Sequence, residues 1–498
     1  MRIKALLMMA IALPAFAQNS NLTVWETNSA GEQLVQKTKF ARVKKKVLIE
    51  VNSKEQRQTL VGIGGSFTEA TSSVLARMSK ENRQKVIDAY FGPDGARYSL
   101  TRTHIGSCDF SKGNYCYDEV KGDTLLEHFS IGYDETTLLP LIKGAQAASR
   151  DGFKIVASPW SAPYWMKDNQ GYVGGALLPE CQKVYANYLV KYLEAYKAKG
   201  VDIWAMTPVN EPYGNGNNWE SMFFDPKYEA AFVRDYMSPI FEKAGFGNVK
   251  ILGYDQNRGG IPEWVDAMYS DEATAKYFGG LAVHWYESTV DWLPEMLNKA
   301  HHAAPGKLLI ETEGCVDAEV PHWKEDAWYW ACEGTDWGWD WAPDNQKYLH
   351  PKYVPVFRYA RDIIGCLNNW VAGWIDWNMV LDRQGGPNWA KNWCLAPVIV
   401  DPAADEVYFT PMYYAISHFS RFLRPDAKVL GVKVGGGDPT TIEEKSKAVM
   451  ATAVRNPDGS LAVVVINQGN APVGLDLAVD GKHYKLSINK EAIQTIVL

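Results

Sequence analysis

The sequence predicts an α/β fold: a (β/α)8 TIM barrel with a discontinuous β-sandwich side domain. Three observations lead there. Eight apolar, β-rich runs recur through the middle of the chain, at residues 59–66, 98–105, 154–159, 203–209, 249–254, 280–286, 307–312 and 371–377. Helical periodicity fills most of the gaps between them. After about residue 405 the pattern becomes short alternating runs separated by turn signals. Eight strands with intervening helices are the arrangement of a closed parallel barrel.

The elements follow in order. Arg2 and Lys4 precede an apolar run over residues 5–13, and Ala15-Phe16-Ala17 supplies the small-x-small pattern of a signal-peptidase site. Residues 1–17 are therefore expected to be a signal peptide, with Gln18 as the mature start. The run is too short to span a bilayer, and no other run reaches about 18 apolar residues, so no transmembrane segment is expected. Residues 18–55 are strand-like and are expected to join the side domain. The barrel is expected over 56–410. Within it Val184, Tyr185, Tyr188, Leu189, Tyr192 and Leu193 recur at helical spacing before the stop at Gly200. Residues 228–245 and 354–364 read the same way. The sandwich is expected over 411–498, where Asn456-Pro457-Asp458-Gly459 and Asp480-Gly481 mark hairpins.

Composition bounds the function. The chain has 498 residues, 46% hydrophobic and 22% charged, which fits a folded soluble protein with no disordered tail. Loss of Arg2 and Lys4 takes the formal charge from −7 to −9. An acidic surface argues against nucleic acid or anionic membranes and suits a neutral sugar. The seven cysteines are an odd number, so at least one stays unpaired within the monomer. Cys108 and Cys116 are close enough in sequence to pair; buried free thiols are the equal alternative. No CxxC is present, so a structural zinc site has little support, and no metal is expected.

Functional residues of such barrels collect at the C-terminal ends of strands. Run four ends Asn210-Glu211-Pro212, and run seven ends Glu311-Thr312-Glu313-Gly314. Two acidic ends facing across the barrel mouth are what glycoside hydrolysis needs. One carboxylic acid protonates the leaving oxygen, and one carboxylate attacks or activates water. Spacing leaves Glu311 and Glu313 tied, because residues two apart on a strand point to one face. Gly62-Ile63-Gly64-Gly65-Ser66 looks like a nucleotide loop, but GxGxxG would need glycine at Phe67.

Several blocks then carry a resemblance: Gly62-Ile63-Gly64-Gly65-Ser66-Phe67-Thr68-Glu69-Ala70, Ser107-Cys108-Asp109-Phe110-Ser111, Ser158-Pro159-Trp160-Ser161-Ala162-Pro163, Asn210-Glu211-Pro212, His284-Trp285-Tyr286, Glu313-Gly314-Cys315-Val316, Trp374-Ile375-Asp376-Trp377-Asn378 and Gly385-Gly386-Pro387-Asn388-Trp389. Together they resemble glycoside hydrolase family 30, which includes lysosomal-type glucosylceramidases and microbial β-1,6-glucanases. The resemblance implies Glu211 as acid/base and Glu313, before Gly314-Cys315-Val316, as nucleophile. It implies Asp109, Trp160, Asn210, Tyr286, Trp377 and Asn392 around the sugar and the nucleophile, with Arg102 and His284 behind them. It implies a covalent glucosyl-enzyme, a carbohydrate substrate and no cofactor. Cys315 reads as an inert buried thiol.

Between Trp323 and Trp341 lie six tryptophans, at 323, 328, 330, 337, 339 and 341. Such a loop is expected either to offer stacking platforms for further sugars or to pack onto the barrel. The first reading favours β-1,6-glucan. A glucosylceramidase or β-glucosidase is the alternative, and a non-catalytic carbohydrate-binding protein on a hydrolase scaffold is a third reading. Both matched glutamates argue against the third.

Overall fold

The computed structural model describes residues 22–317, 325–331 and 342–498. The signal-peptide expectation, and Trp323, Cys332, Trp337, Trp339 and Trp341, lie outside the described residues.

Eight parallel strands close a barrel. They are Gly62–Phe67, Leu100–Ile105, Lys154–Pro159, Ala205–Met206, Lys250–Asn257, Gly280–His284, Leu308–Gly314 and Gly373–Asp376, each bonded to its chain neighbours, with the eighth returning to the first. All eight expected runs overlap these strands. Gly64 is needed in strand one because a Cβ there would run into the Leu100 carbonyl oxygen. Helix Gln182–Ala198 buries Tyr185, Leu189 and Tyr192 against the barrel and ends before Gly200, at φ +74°. The floor of the barrel is an apolar plug of inward side chains, among them Leu100, Val156, Ala205, Leu252, Ala282 and Ile310. Above that plug the inward positions turn polar, and this transition creates the site.

The second body is a nine-stranded sheet folded around one core. Thr23–Asn28 pairs with Ala492–Val497. The long strand Lys46–Thr59 lies between Lys428–Val434 and Val473–Val479. Ile49, Val51, Val463, Leu475 and Ile496 are fully or almost fully buried in the shared core. Trp328 and Trp330, the described tryptophans of the Trp-rich stretch, pack on the barrel core, with Trp330 edge-on to Phe357.

Helix Pro411–Ser420 stands between the two bodies, packed on strand one and on Thr23–Asn28 and Ala492–Val497. Its His418 is buried between two hydroxyls, with Nδ1 2.8 Å from Thr495 Oγ1 and Nε2 2.9 Å from Thr27 Oγ1. Burial pushes this imidazole down to about 3, so it stays neutral in the folded protein. The unfolded chain takes up the proton below about pH 6.5. Stability from this group is therefore complete above about pH 6.5 and falls by about 1.4 kcal/mol per pH unit below it. Thermal denaturation at pH 7 and pH 5 is expected to show a loss of about 2 kcal/mol from this source. His418→Gln is expected to start less stable and to show a shallower pH slope; an unchanged slope would exclude His418 as the origin.

Candidate active site

Alternation along the strands dictates what meets above the plug. Strand two brings Arg102 after Leu100, strand three Ser158 after Val156, strand four Thr207 after Ala205, and strand six His284 after Ala282. Strands five and seven break the alternation with bulges, which re-aim side chains. In strand five the register shifts between Tyr254 and Gln256, and Tyr254 and Asp255 have φ of +79° and +59°. Buried Glu229 accepts a 3.0 Å bond from the Tyr254 amide and holds this turn.

In strand seven the register shifts between Glu311 and Glu313. This corrects the expectation that both face one way. Thr312 and Glu313 both reach the lumen, while Glu311 turns outward to Arg258, 2.7 Å away. Arg258 also binds Asp362, on the outer helix Pro355–Asn368. The bulge separates two carboxylates that alternation alone leaves equivalent.

Asp255 is the hub, and the sequence reading did not single it out. Its carboxylate accepts from Arg102 Nη2 at 2.7 Å, Thr207 at 2.8 Å, Ser158 at 3.0 Å, Thr312 at 2.6 Å and His284 Nε2 at 3.0 Å. Its carbonyl oxygen accepts from the Glu211 amide at 3.0 Å. Burial opposes ionisation, yet Arg102 and His284 hold the carboxyl well below the ordinary range. The available signal was the rule applied to the glutamates: an acidic residue at the C-terminal end of a barrel strand.

Arg102 donates Nη1 to Glu313 Oε2, Nη2 to Asn210 Oδ1 at 2.7 Å and Nε to Ser158 at 3.1 Å. Tyr286 donates its hydroxyl to Glu313 Oε1 at 2.9 Å. Both oxygens of Glu313 are thus held. Burial raises the Glu313 carboxyl above its usual value, and the charges of His284 and Arg102 work against that rise. Burial also disfavours a charged His284, but Glu313, Asp255 and Glu211 overcome it and lift the imidazole to about 10. His284 Nδ1 stands 3.4 Å from Glu211 Oε1. Oxygens of Glu211 and Glu313 and a nitrogen of His284 lie within 4.8 Å of one another. Three such ligand atoms have metal-like spacing, but Arg102 already supplies positive charge at Glu313. The similar cluster Glu311, Asp362 and Cys366 surrounds Arg258 in the same way.

Around the carboxylates, Trp160 and Trp377 stack with centroids 4.9 Å apart, and the Arg102 guanidinium lies 4.8 Å from the Trp160 centroid. Asp109 Oδ2 accepts from Asn392 Nδ2 at 2.8 Å, whereas buried Oδ1 has no partner among the described residues. All ten residues expected at the site are brought together. Arg102 and His284 lie between the apolar plug and the cavity, and the other eight line a cavity of about 550 Å³. One wall was not foreseen: Asn215, Asn218, Trp219, Gln256 and Asn257, with Gly214 and Gly216. Phe110, Cys315 and Cys394 complete the lining. Cys108 and Cys116 are separate buried thiols, so the pairing option is not realised.

Facing carboxylates above a barrel plug, flanked by stacked indoles and a sugar-sized cavity, define a glycoside hydrolase. The chain belongs to glycosyl hydrolase family 30: the family's TIM-barrel domain matches residues 60–423 and its beta sandwich domain matches residues 438–496. The lysosomal acid glucosylceramidase of Mus musculus is 30% identical over 441 residues, covering 87% of this chain and 79% of that protein. An endo-1,6-beta-D-glucanase of Neurospora crassa is 28% identical over 465 residues, covering 91% and 88%. The solved structure of an endo-beta1,6-glucanase superposes with a TM-score of 0.79 at 26% identity, covering 96% of this chain and 99% of that one. The protein is a glycosidase that acts on carbohydrate, and among the described residues no helix is long and apolar enough to cross a membrane.

Two outcomes follow from the bulges. Asp255→Asn keeps the shape of the hub but removes the charge that orients Arg102 and His284; kcat/KM is expected to fall about a hundredfold, with the fold retained by circular dichroism. Glu311→Gln is expected to lower thermal stability and keep kcat within roughly tenfold, because Glu311 faces the outer layer. A large kcat loss from Glu311→Gln with full stability would reverse the assignment of faces.

Proposed function

We propose that this family 30 hydrolase is an exported, retaining β-glycosidase that cuts β-1,6-linked glucan. Glu313 is its nucleophile and Glu211 its acid/base. The observation that carries the substrate choice is the wall beside Glu211. Among the described residues it is built from four amide side chains, Asn215, Asn218, Gln256 and Asn257, with Trp219 and two glycines, and no aliphatic side chain. A lipid leaving group needs apolar surface. A sugar leaving group needs hydrogen-bonding groups, each worth about 0.5–1.5 kcal/mol, and a flat ring to lie against.

The reaction runs in two displacements. Trp160 and Trp377 receive the apolar face of the glucose. Asp109 Oδ1 accepts a hydrogen bond from a sugar hydroxyl, which fills its empty acceptor. Arg102 fixes the Asn210 amide by its oxygen, leaving Nδ2 to donate to the 2-hydroxyl. Glu211 protonates the glycosidic oxygen while Glu313 attacks the anomeric carbon, giving a glucosyl ester and releasing the shortened chain. Glu211 then removes a proton from water, which attacks the same carbon and frees Glu313. The oxygen spacing of at most 4.8 Å supports retention, for which carboxyl groups stand about 5–5.5 Å apart; inversion needs a wider gap.

A glucosylceramidase is the second reading, favoured by the 30% identity to the mouse enzyme. Assays on β-1,6-glucan, glucosylceramide and an aryl β-glucoside separate the two: turnover of the glucan is expected, and turnover of the lipid alone would overturn the first reading. Proton NMR of the first product is expected to show the β anomer, and the α anomer would overturn retention. Glu211→Gln and Glu313→Gln are each expected to lower kcat by at least about 10²–10⁴ with folding intact. Export predicts a mature N-terminus at Gln18, read by terminal sequencing of the protein recovered outside the cytoplasm.

A further inference from the structure

We propose that Cys315 and Cys394 form a reversible disulfide across the rim of the catalytic cavity, and that closing it lowers activity. The inference rests on the catalytic reading of that cavity and not on which glycan is cut.

The geometry carries it. Cys315 leads into the short strand Val316–Asp317, which pairs antiparallel with Cys394–Leu395. Val316 faces Leu395 and Asp317 faces Cys394, so Cys315 and Cys394 are diagonal neighbours across the ladder. Their sulfurs are 3.2 Å apart and both are thiols. A disulfide bond is about 2.05 Å, so closure needs a movement of about 1 Å. Both residues are 2% exposed, yet both line the cavity and are reached through it. The sequence reading of Cys315 as an inert buried thiol did not include the nearby Cys394 sulfur.

The same two positions are tied to the chemistry. Cys315 lies two residues beyond Glu313, and the Tyr286 hydroxyl stands 2.9 Å from Glu313 Oε1 and 3.4 Å from Cys315 Sγ. Cys394 lies two residues beyond Asn392, whose amide donates to Asp109. A sulfur bridge joins the segment that carries Glu313 to the segment that holds Asp109. Drawing them together disturbs the Tyr286–Glu313 contact, the Asn392–Asp109 contact, or both. Misplacement of about 1 Å at a reacting group costs up to about a hundredfold in rate.

The step needs a disulfide donor of low molecular weight. One cysteine, as thiolate, attacks a donor sulfur and expels a thiolate, giving a mixed disulfide. The second cysteine thiolate attacks the bonded cysteine sulfur and expels the other half. The two protein thiols are oxidised, the donor is reduced to two thiols, and the two protein protons end on those thiols. A dithiol reductant runs the exchange backwards.

The test treats the full chain with oxidised glutathione or with dithiothreitol. Peptide mapping by mass spectrometry is expected to find Cys315 joined to Cys394 only after oxidation. The kcat/KM on an aryl β-glucoside is expected to fall roughly tenfold or more and to return with dithiothreitol. The informative quantity is each protein's oxidised-to-reduced activity ratio. Cys394→Ser is expected to bring that ratio to about one, with Cys394→Val as the replacement where serine impairs folding, whereas Cys181→Ser, at a buried thiol outside the cavity lining, is expected to keep the wild-type ratio. No Cys315–Cys394 link, a link without a change in ratio, or a change in ratio that survives in the Cys394 variants overturns the proposal. Failure of the catalytic reading is distinct, since the link is read by mass and the reduced enzyme by its own turnover.

Discussion

The buried ion pair between Arg102 and Asp255 is the constraint on which the rest of the site depends. Charges at the centre of a barrel are costly unless their hydrogen-bonding capacity is used. Arg102 spends its donors on Asp255, Glu313, Asn210 and Ser158, and its face on Trp160 and Trp377. Asp255 accepts from five side chains on strands two, three, four, six and seven. Each bond satisfies a buried group, and those from Arg102 to Glu313 and Asn210 also orient residues of the cavity. Stability and positioning thus share contacts centred on one ion pair.

The barrel was legible because its physics is periodic. Short apolar strands, helices with an apolar stripe, and glycine stops are all local patterns. The acidic strand ends were legible for the same reason. The face of Glu311 was not. Alternation counts residues, and a bulge adds one without leaving a local mark; the shift in strand seven is visible only when Glu311 finds Arg258 and Glu313 finds Arg102. Asp255 was hidden for a related reason, since its inward aim depends on two residues in left-handed conformation held by Glu229 from a neighbouring helix.

The remaining gaps lie in loops. The amide wall is drawn from residues 214–219 and from Gln256 and Asn257, segments with no period to read. Neither Cys315 nor Cys394 belongs to a recognisable spacing, being 79 residues apart. Their meeting is a product of the strand pair beyond strands seven and eight. In the sandwich, Thr23–Asn28 and Ala492–Val497 sit at opposite ends of the described chain and share one ladder. That ladder packs under helix Pro411–Ser420, which links the order of the second body to the barrel wall.

The strand-seven bulge also bears on how the barrel finds its register. Arg102 waits inside the barrel and Arg258 outside it, and each demands a carboxylate from the same strand. A strand slipped by one residue, or one that omitted the bulge, could serve one arginine only by taking from the other one of its two buried carboxylates, leaving Arg102 with Asp255 alone or Arg258 with Asp362 alone. The two arginines thus act as a lock with two wards, and the Glu311-Thr312-Glu313 triplet is the key that turns in one position. Mispairing is penalised before any substrate arrives, so the residues that assemble the cavity also proofread the closure of the barrel around it.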